Sequence, residues 1–120
     1  LLAVGAGGFI GSVLRFLVYT GYQRFLPQLG LPLGTLTVNL LGCLLIGYIG
    51  GLAELKNSFD PATRLFLMVG ILGGFTTFSA YAFEALTLGQ NGMLVKAGAL
   101  LLAQVFFGLG AAWLGFQLAR

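Results

Sequence analysis

Few side chains in this sequence can do chemistry, and most of them stand inside apolar stretches. Arg15 is the first. A guanidinium within a membrane span costs about 2.5–3.5 kcal/mol on insertion scales, so such a residue is retained for a reason. Two readings are open. Arg15 stands nearer one end of its stretch, where it would snorkel or cap carbonyls. Alternatively, it is a fixed positive charge lining a water-filled vestibule for an anion. No carboxylate offsets it before Glu54, which favours an anion pathway over a cation pathway.

Asn39 lies well inside the next apolar stretch, within Gly34-Thr35-Leu36-Thr37-Val38-Asn39. Its amide has two N–H donors that would suit an anion stripped of water, or that would hold two helices together. Cys43, one turn further on, reads as a small packing residue. The densest signal is Gly70-Ile71-Leu72-Gly73-Gly74-Phe75-Thr76-Thr77-Phe78-Ser79-Ala80-Tyr81. A glycine pair followed by two β-branched threonines makes a poor continuous helix. In lipid, a break must turn its freed backbone groups toward protein, water or an ion. Freed carbonyls would suit a small cation. Phe78 and Tyr81, three apart, would share a helical face, and their positive ring edges could meet an anion. Glu84 near such a path must reach an interface, pair with a cation or stay protonated.

The rest of the composition explains why these residues are so isolated. Of 120 residues, 58% are hydrophobic and only 8% charged, with a mean hydropathy of +1.00. A soluble domain carries roughly 25% charged residues, so this chain lacks the charge to cover a wet surface. There is no histidine and one cysteine, which excludes an internal disulfide framework and removes the commonest metal ligands and general base. No nucleophile–base pair is visible, so an enzyme is not expected. The net charge of +3 comes from six scattered basic residues, not a nucleic-acid patch. The first stretch has no basic leader region and reads as a span, not a cleavable signal.

The elements that must position these side chains are four transmembrane helices, in one membrane domain covering 1–120. Each span takes about 20 apolar residues. The expected spans are 1–22, 33–55, 61–88 and 93–118. A turn over Pro27-Gln28-Leu29-Gly30-Leu31-Pro32 separates the first two, and a polar loop from Glu54 to Pro61 the next two. Asp60-Pro61 reads as a helix cap and first residue. The third span is longer than one crossing needs and carries the break in its middle. Glycines four apart (Gly7/Gly11, Gly47/Gly51 and Gly70/Gly74) have the spacing that packs membrane helices closely.

Charge does not fix the orientation of this bundle. With four spans, one side receives Lys56, Arg64 and Arg120 and the other Arg24 and Lys96. Three against two is almost no bias under the positive-inside rule. A chain with so little bias can insert both ways, and inverted copies would pair about an axis in the membrane plane.

Three motifs in this order, across nearly the whole chain, make the sequence resemble the Fluc (CrcB) fluoride channels. They are Gly7-Gly8-Phe9-Ile10-Gly11-Ser12-Val13-Leu14-Arg15-Phe16, Gly34-Thr35-Leu36-Thr37-Val38-Asn39-Leu40-Leu41-Gly42 and Gly73-Gly74-Phe75-Thr76-Thr77-Phe78-Ser79. The resemblance implies an all-α membrane protein forming a dual-topology antiparallel homodimer with two fluoride pores in the cell membrane. It implies that Asn39 and Phe78 line a pore, with Thr77, Ser79 and Tyr81 beside it and Arg15 in the vestibule. It implies a structural sodium held at the dimer axis by the backbone carbonyls of Gly73 and Thr76. The chain departs from the family in having Ala80-Tyr81 where Thr-Phe is usual, so the second ring carries a hydroxyl. In the fourth span, Gln104 is the one residue matching the family's polar track.

The expected function is therefore passive, selective export of fluoride. Two other classes compete. A small proton-coupled multidrug exporter would also be short, four-spanning and dual-topology, but it needs a buried carboxylate in its first span, where this chain has Arg15. A structural subunit of a larger membrane complex would show no ion flux by itself.

Overall fold

The computed structural model describes residues 1–25 and 33–120; the expected Pro27–Pro32 turn lies outside the described residues. Among the described residues the protein is all helix. Helix α1 spans Leu2–Phe25 and α2 spans Leu33–Lys56. The third span begins at Pro61, directly after Asp60, whose backbone is extended at the cap (φ −71°, ψ 164°). Its first half, α3, covers 61–75, and its second half, α4, covers Phe78–Gln90. A turn through Gly92, at φ 81°, leads to α5, Leu94–Leu118.

Among the described residues, four helical segments are long and apolar enough to cross a membrane, the third being the 30-residue run Pro61–Gln90. A 24-residue helix rises about 36 Å, more than the ~30 Å hydrocarbon core. The side chains are arranged accordingly. Phe9, Phe106 and Trp113 are each more than 60% exposed, as expected where the surrounding medium is itself apolar. Arg24 stacks over Phe25 and Arg120 over Phe116, each 5.9 Å from the ring centroid, so the cations near the ends of α1 and α5 each lie against an aromatic ring.

Because lipid offers no hydrophobic drive between helices, packing relies on backbone approach at small residues. The expected glycine pairs form two such seams. In the first, α1 lies on α3: Gly7 faces Gly70 and Gly11 faces Ile71 and Phe75. A Cβ added to Gly11 would overlap the Ile71 carbonyl and stand 2.8 Å from the Phe75 nitrogen. In the second seam α2 lies on α5. Gly47 meets Ala112, and Gly115 meets the Leu44 carbonyl, with Tyr48 N 2.8 Å from where its Cβ would be. The second half-span, α4, packs instead on α5, where Tyr81, Leu88, Ala97 and Leu100 form a small buried cluster.

Within α3 the residues Leu65–Leu72 are wound as a π-helix. This looser winding runs up to the two glycines and the break. Such widenings occur often at functional sites.

Candidate functional site

The third span breaks at Thr76 and Thr77. Both are extended, at φ −91°, ψ 156° and φ −154°, ψ 119°, a conformation that β-branched side chains tolerate well. Breaking a helix in a membrane frees backbone groups that need partners. Asn39, from α2 and only 4% exposed, supplies two of them. Its Nδ2 donates to the Thr77 carbonyl at 2.9 Å, and its Oδ1 accepts from the Thr77 amide at 2.8 Å. The Thr77 hydroxyl accepts from Ala80 N at 3.2 Å, the bond of a helix N-cap. One side chain thus pins the break, and the break caps the next helix.

This rearrangement releases the carbonyls at the end of α3, among them those of Gly73 and Thr76. In an unbroken helix Gly73 O would accept from Thr77 N, and Thr76 O from Ala80 N. Both donors are diverted, one to Asn39 and the other to the Thr77 side chain.

A cavity of about 300 Å³ opens beside the break, lined in part by Asn39, Gly73, Thr76, Thr77, Phe78 and Gln104. Six residues singled out in the sequence are therefore neighbours, although they come from three spans. Gln104 Oε1 lies 3.4 Å from Asn39 Nδ2, a long bond that leaves the second amide hydrogen loosely held. Phe78, at 75% exposure, presents its ring freely.

A second cavity, of about 510 Å³, contains Arg15, Ser12, Tyr19, Thr77, Ser79 and Phe83 among its walls. Among the described residues, no carboxylate lines it. Its charge is that of Arg15, with Ser79, Ser12 and Tyr19 supplying hydroxyls. Thr77 belongs to both cavities, and its hydroxyl lies 3.3 Å from that of Ser79.

Tyr81 is not brought to either cavity. It is 1% exposed, packed with Leu88 and Leu100, while Phe78 is open. Three helical positions separate directions by about 60°, and here the boundary between interior and surface falls within that angle. Phe78 is also the first helical residue after the extended Thr77.

Spacing alone did not reveal the partner of Glu84. Thr35, 2% exposed on α2, donates its hydroxyl to Glu84 Oε1, and Tyr19 OH lies 3.3 Å from Thr35 Oγ1. A further interhelical bond joins Tyr22 and Thr37 at 2.8 Å. The available signal was the Thr35/Asn39 spacing, four residues apart and hence on one face of α2. Among the described residues there is no cluster of three or more His, Cys, Asp or Glu side chains that could hold a metal ion.

A bundle of four spans, one broken beside buried polar side chains from its neighbours, defines a multi-pass membrane protein of the kind that moves solutes. The chain belongs to the family described as CrcB-like protein, Camphor Resistance (CrcB), which matches residues 2–116. It is 44% identical over 121 residues to the fluoride-specific ion channel FluC 1 of Nitrobacter hamburgensis, covering 100% of this chain and 94% of that protein. It is 40% identical over 120 residues to the fluoride-specific ion channel FluC of Methylobacillus flagellatus, again covering 100% and 94%. A FluC of Chlorobium phaeobacteroides is 43% identical over 122 residues, covering 100% of this chain and 92% of that channel.

Proposed function

We propose that the chain is a fluoride-selective channel, working as an antiparallel homodimer that lets fluoride leave the cell passively. The observation that carries this reading is the gathering of Asn39, Thr77, Phe78 and Gln104 at one break, in a chain over 40% identical to a fluoride-specific ion channel across its length. Fluoride is small and tightly hydrated, so a pore must replace its water with donors and positive edges.

In this reading Arg15 draws the anion into the vestibule, where the Ser79 hydroxyl faces it. Thr77 stands between the vestibule and the cavity beside Asn39. There the second Nδ2–H of Asn39, the amide of Gln104 and the ring edge of Phe78 replace water. Asn39 serves twice, since its other hydrogen and its oxygen are committed to the break. Tyr81 lies in the apolar cluster between α4 and α5. Narrow, rigid surroundings would exclude the larger chloride.

The weak charge bias supports insertion in both orientations, and two inverted copies would form two pores. The faces where a Cβ added to Gly5 or Gly8 would meet nothing within 4 Å suit a close-packed partner. A sodium ion would take two of the released carbonyls, Gly73 O and Thr76 O, because hard cations prefer oxygen ligands. Two such carbonyls from each copy would make a four-oxygen shell, and the ion would supply fixed positive charge at the axis.

The test is flux from liposomes carrying the purified protein, with fluoride and chloride run side by side. Fast fluoride efflux with negligible chloride efflux is expected. Equal rates would end the claim of selectivity, and no flux would end the claim of a channel.

A further inference from the structure

Two buried polar atoms have no hydrogen-bond partner among the described residues: the Tyr81 hydroxyl and Glu84 Oε2. They lie three residues apart on α4, and so on adjacent turns of one face. Buried polar groups in native structures are almost always satisfied, and inside a membrane no bulk water reaches them.

The surroundings narrow what can satisfy them. The cluster that encloses Tyr81 is apolar throughout: Leu36, Leu88, Met93, Ala97 and Leu100. The one heteroatom among these side chains is the Met93 sulfur, a weak acceptor, and the Tyr81 hydroxyl makes no bond to it. Glu84 Oε1 is already engaged by the Thr35 hydroxyl, leaving Oε2 as the free acceptor. A phenolic O–H and a carboxyl oxygen three residues apart on a helix are a donor and an acceptor that one bridging molecule would join. Two O–H···O bonds of about 2.7 Å each span up to roughly 5.4 Å, the reach of one intervening molecule. Buried waters are stable with two to four polar partners.

We infer that Tyr81 and Glu84 together hold one ordered water molecule inside α4's buried face. Tyr81 donates to the water, and the water donates to Glu84 Oε2. Tyr81 is then a positioning residue. Through the water it fixes the Glu84 carboxyl, whose other oxygen holds Thr35 and, beyond it, Tyr19. The hydroxyl that replaces the family's usual phenylalanine hydrogen thereby completes a polar chain joining α4, α2 and α1. The site does not depend on which ion the protein conducts.

The test is a high-resolution crystal structure of the intact protein, grown with and without fluoride, alongside the Tyr81→Phe variant. Infrared spectroscopy of the Glu84 carboxyl band, assigned by its loss in Glu84→Gln, accompanies it. The expected result is a density peak within hydrogen-bond distance of both groups, unchanged by fluoride and lost in Tyr81→Phe. The Glu84 band shifts in the same variant, whose ring volume is preserved. Three results would overturn the inference: no peak in the native protein, a peak whose occupancy follows the fluoride concentration, or a carboxyl band indifferent to Tyr81→Phe. The native crystal decides even if the variant does not fold.

Discussion

Truncating Asn39 to alanine is the sharpest probe of the break. Asn39 gives the Thr77 peptide both of its partners, at 2.9 and 2.8 Å, and is almost wholly buried. Asn39→Ala therefore leaves one N–H and one C=O without their partners in a part-buried site. Each stranded group costs about 1–3 kcal/mol, so the pinned geometry loses about 2–6 kcal/mol. At the lower limit the equilibrium between the held and released break moves roughly 30-fold. Asn39→Asp separates the two bonds. It keeps an acceptor for the Thr77 amide but sets a carboxylate oxygen against the Thr77 carbonyl, so it should not rescue the site. The assay is amide hydrogen exchange at Thr77 in lipid nanodiscs, paired with fluoride flux. Thr77 protection should fall at least about 30-fold in Asn39→Ala, with flux falling in both variants. Native protection at Thr77 together with a native melting temperature in Asn39→Ala would refute the idea that this side chain holds the break.

Three further outcomes are expected. Gly11→Ala should lower thermal stability by about 1–3 kcal/mol, because its Cβ would run into the Ile71 carbonyl; an unchanged melting curve in detergent would contradict the α1–α3 seam. Phe78→Ile should abolish or sharply reduce fluoride efflux while leaving melting unchanged, since this ring is largely exposed within the chain; native flux would remove Phe78 from the pathway. Thr35→Val keeps the shape of its side chain but strands Glu84 Oε1, at about 1–3 kcal/mol. Calorimetry should show that loss and its recovery in Thr35→Ser.

Local chemistry made part of this legible from sequence. Nine charges in 120 residues are few enough that the four apolar spans separate by inspection. The break could be read because Gly73-Gly74 and Thr76-Thr77 each disfavour helix. What satisfies the break could not be read, since Asn39 and Thr77 are 38 residues apart. The Thr35–Glu84 bond spans 49 residues and was hidden for the same reason: nothing local distinguishes a threonine that packs from one that serves a carboxyl. Position 81 shows the limit of periodicity. A three-residue spacing relates Tyr81 to Phe78 only to within one face, and the interior boundary passes between them. The π-winding of Leu65–Leu72 had no compositional cue, because its residues are ordinary helix-forming apolar ones apart from Gly70.

The two glycine seams have a consequence for how the chain is made. Helix α1 finds its main partner in α3, and α2 finds its own in α5, so the principal pairings skip a neighbour instead of joining successive hairpins. Gly70 follows Gly7 by 63 residues and Ala112 follows Gly47 by 65, so α1 and α2 are each made well before the backbone they lie against. Each early helix therefore resides in the bilayer with its small-residue groove facing lipid until the later one arrives. Interleaved pairing also means that no two-helix fragment cut from this chain at a loop retains a complete seam. Of the polar residues around the break, Gln104 alone comes from α5 and joins the others only once that helix has been made.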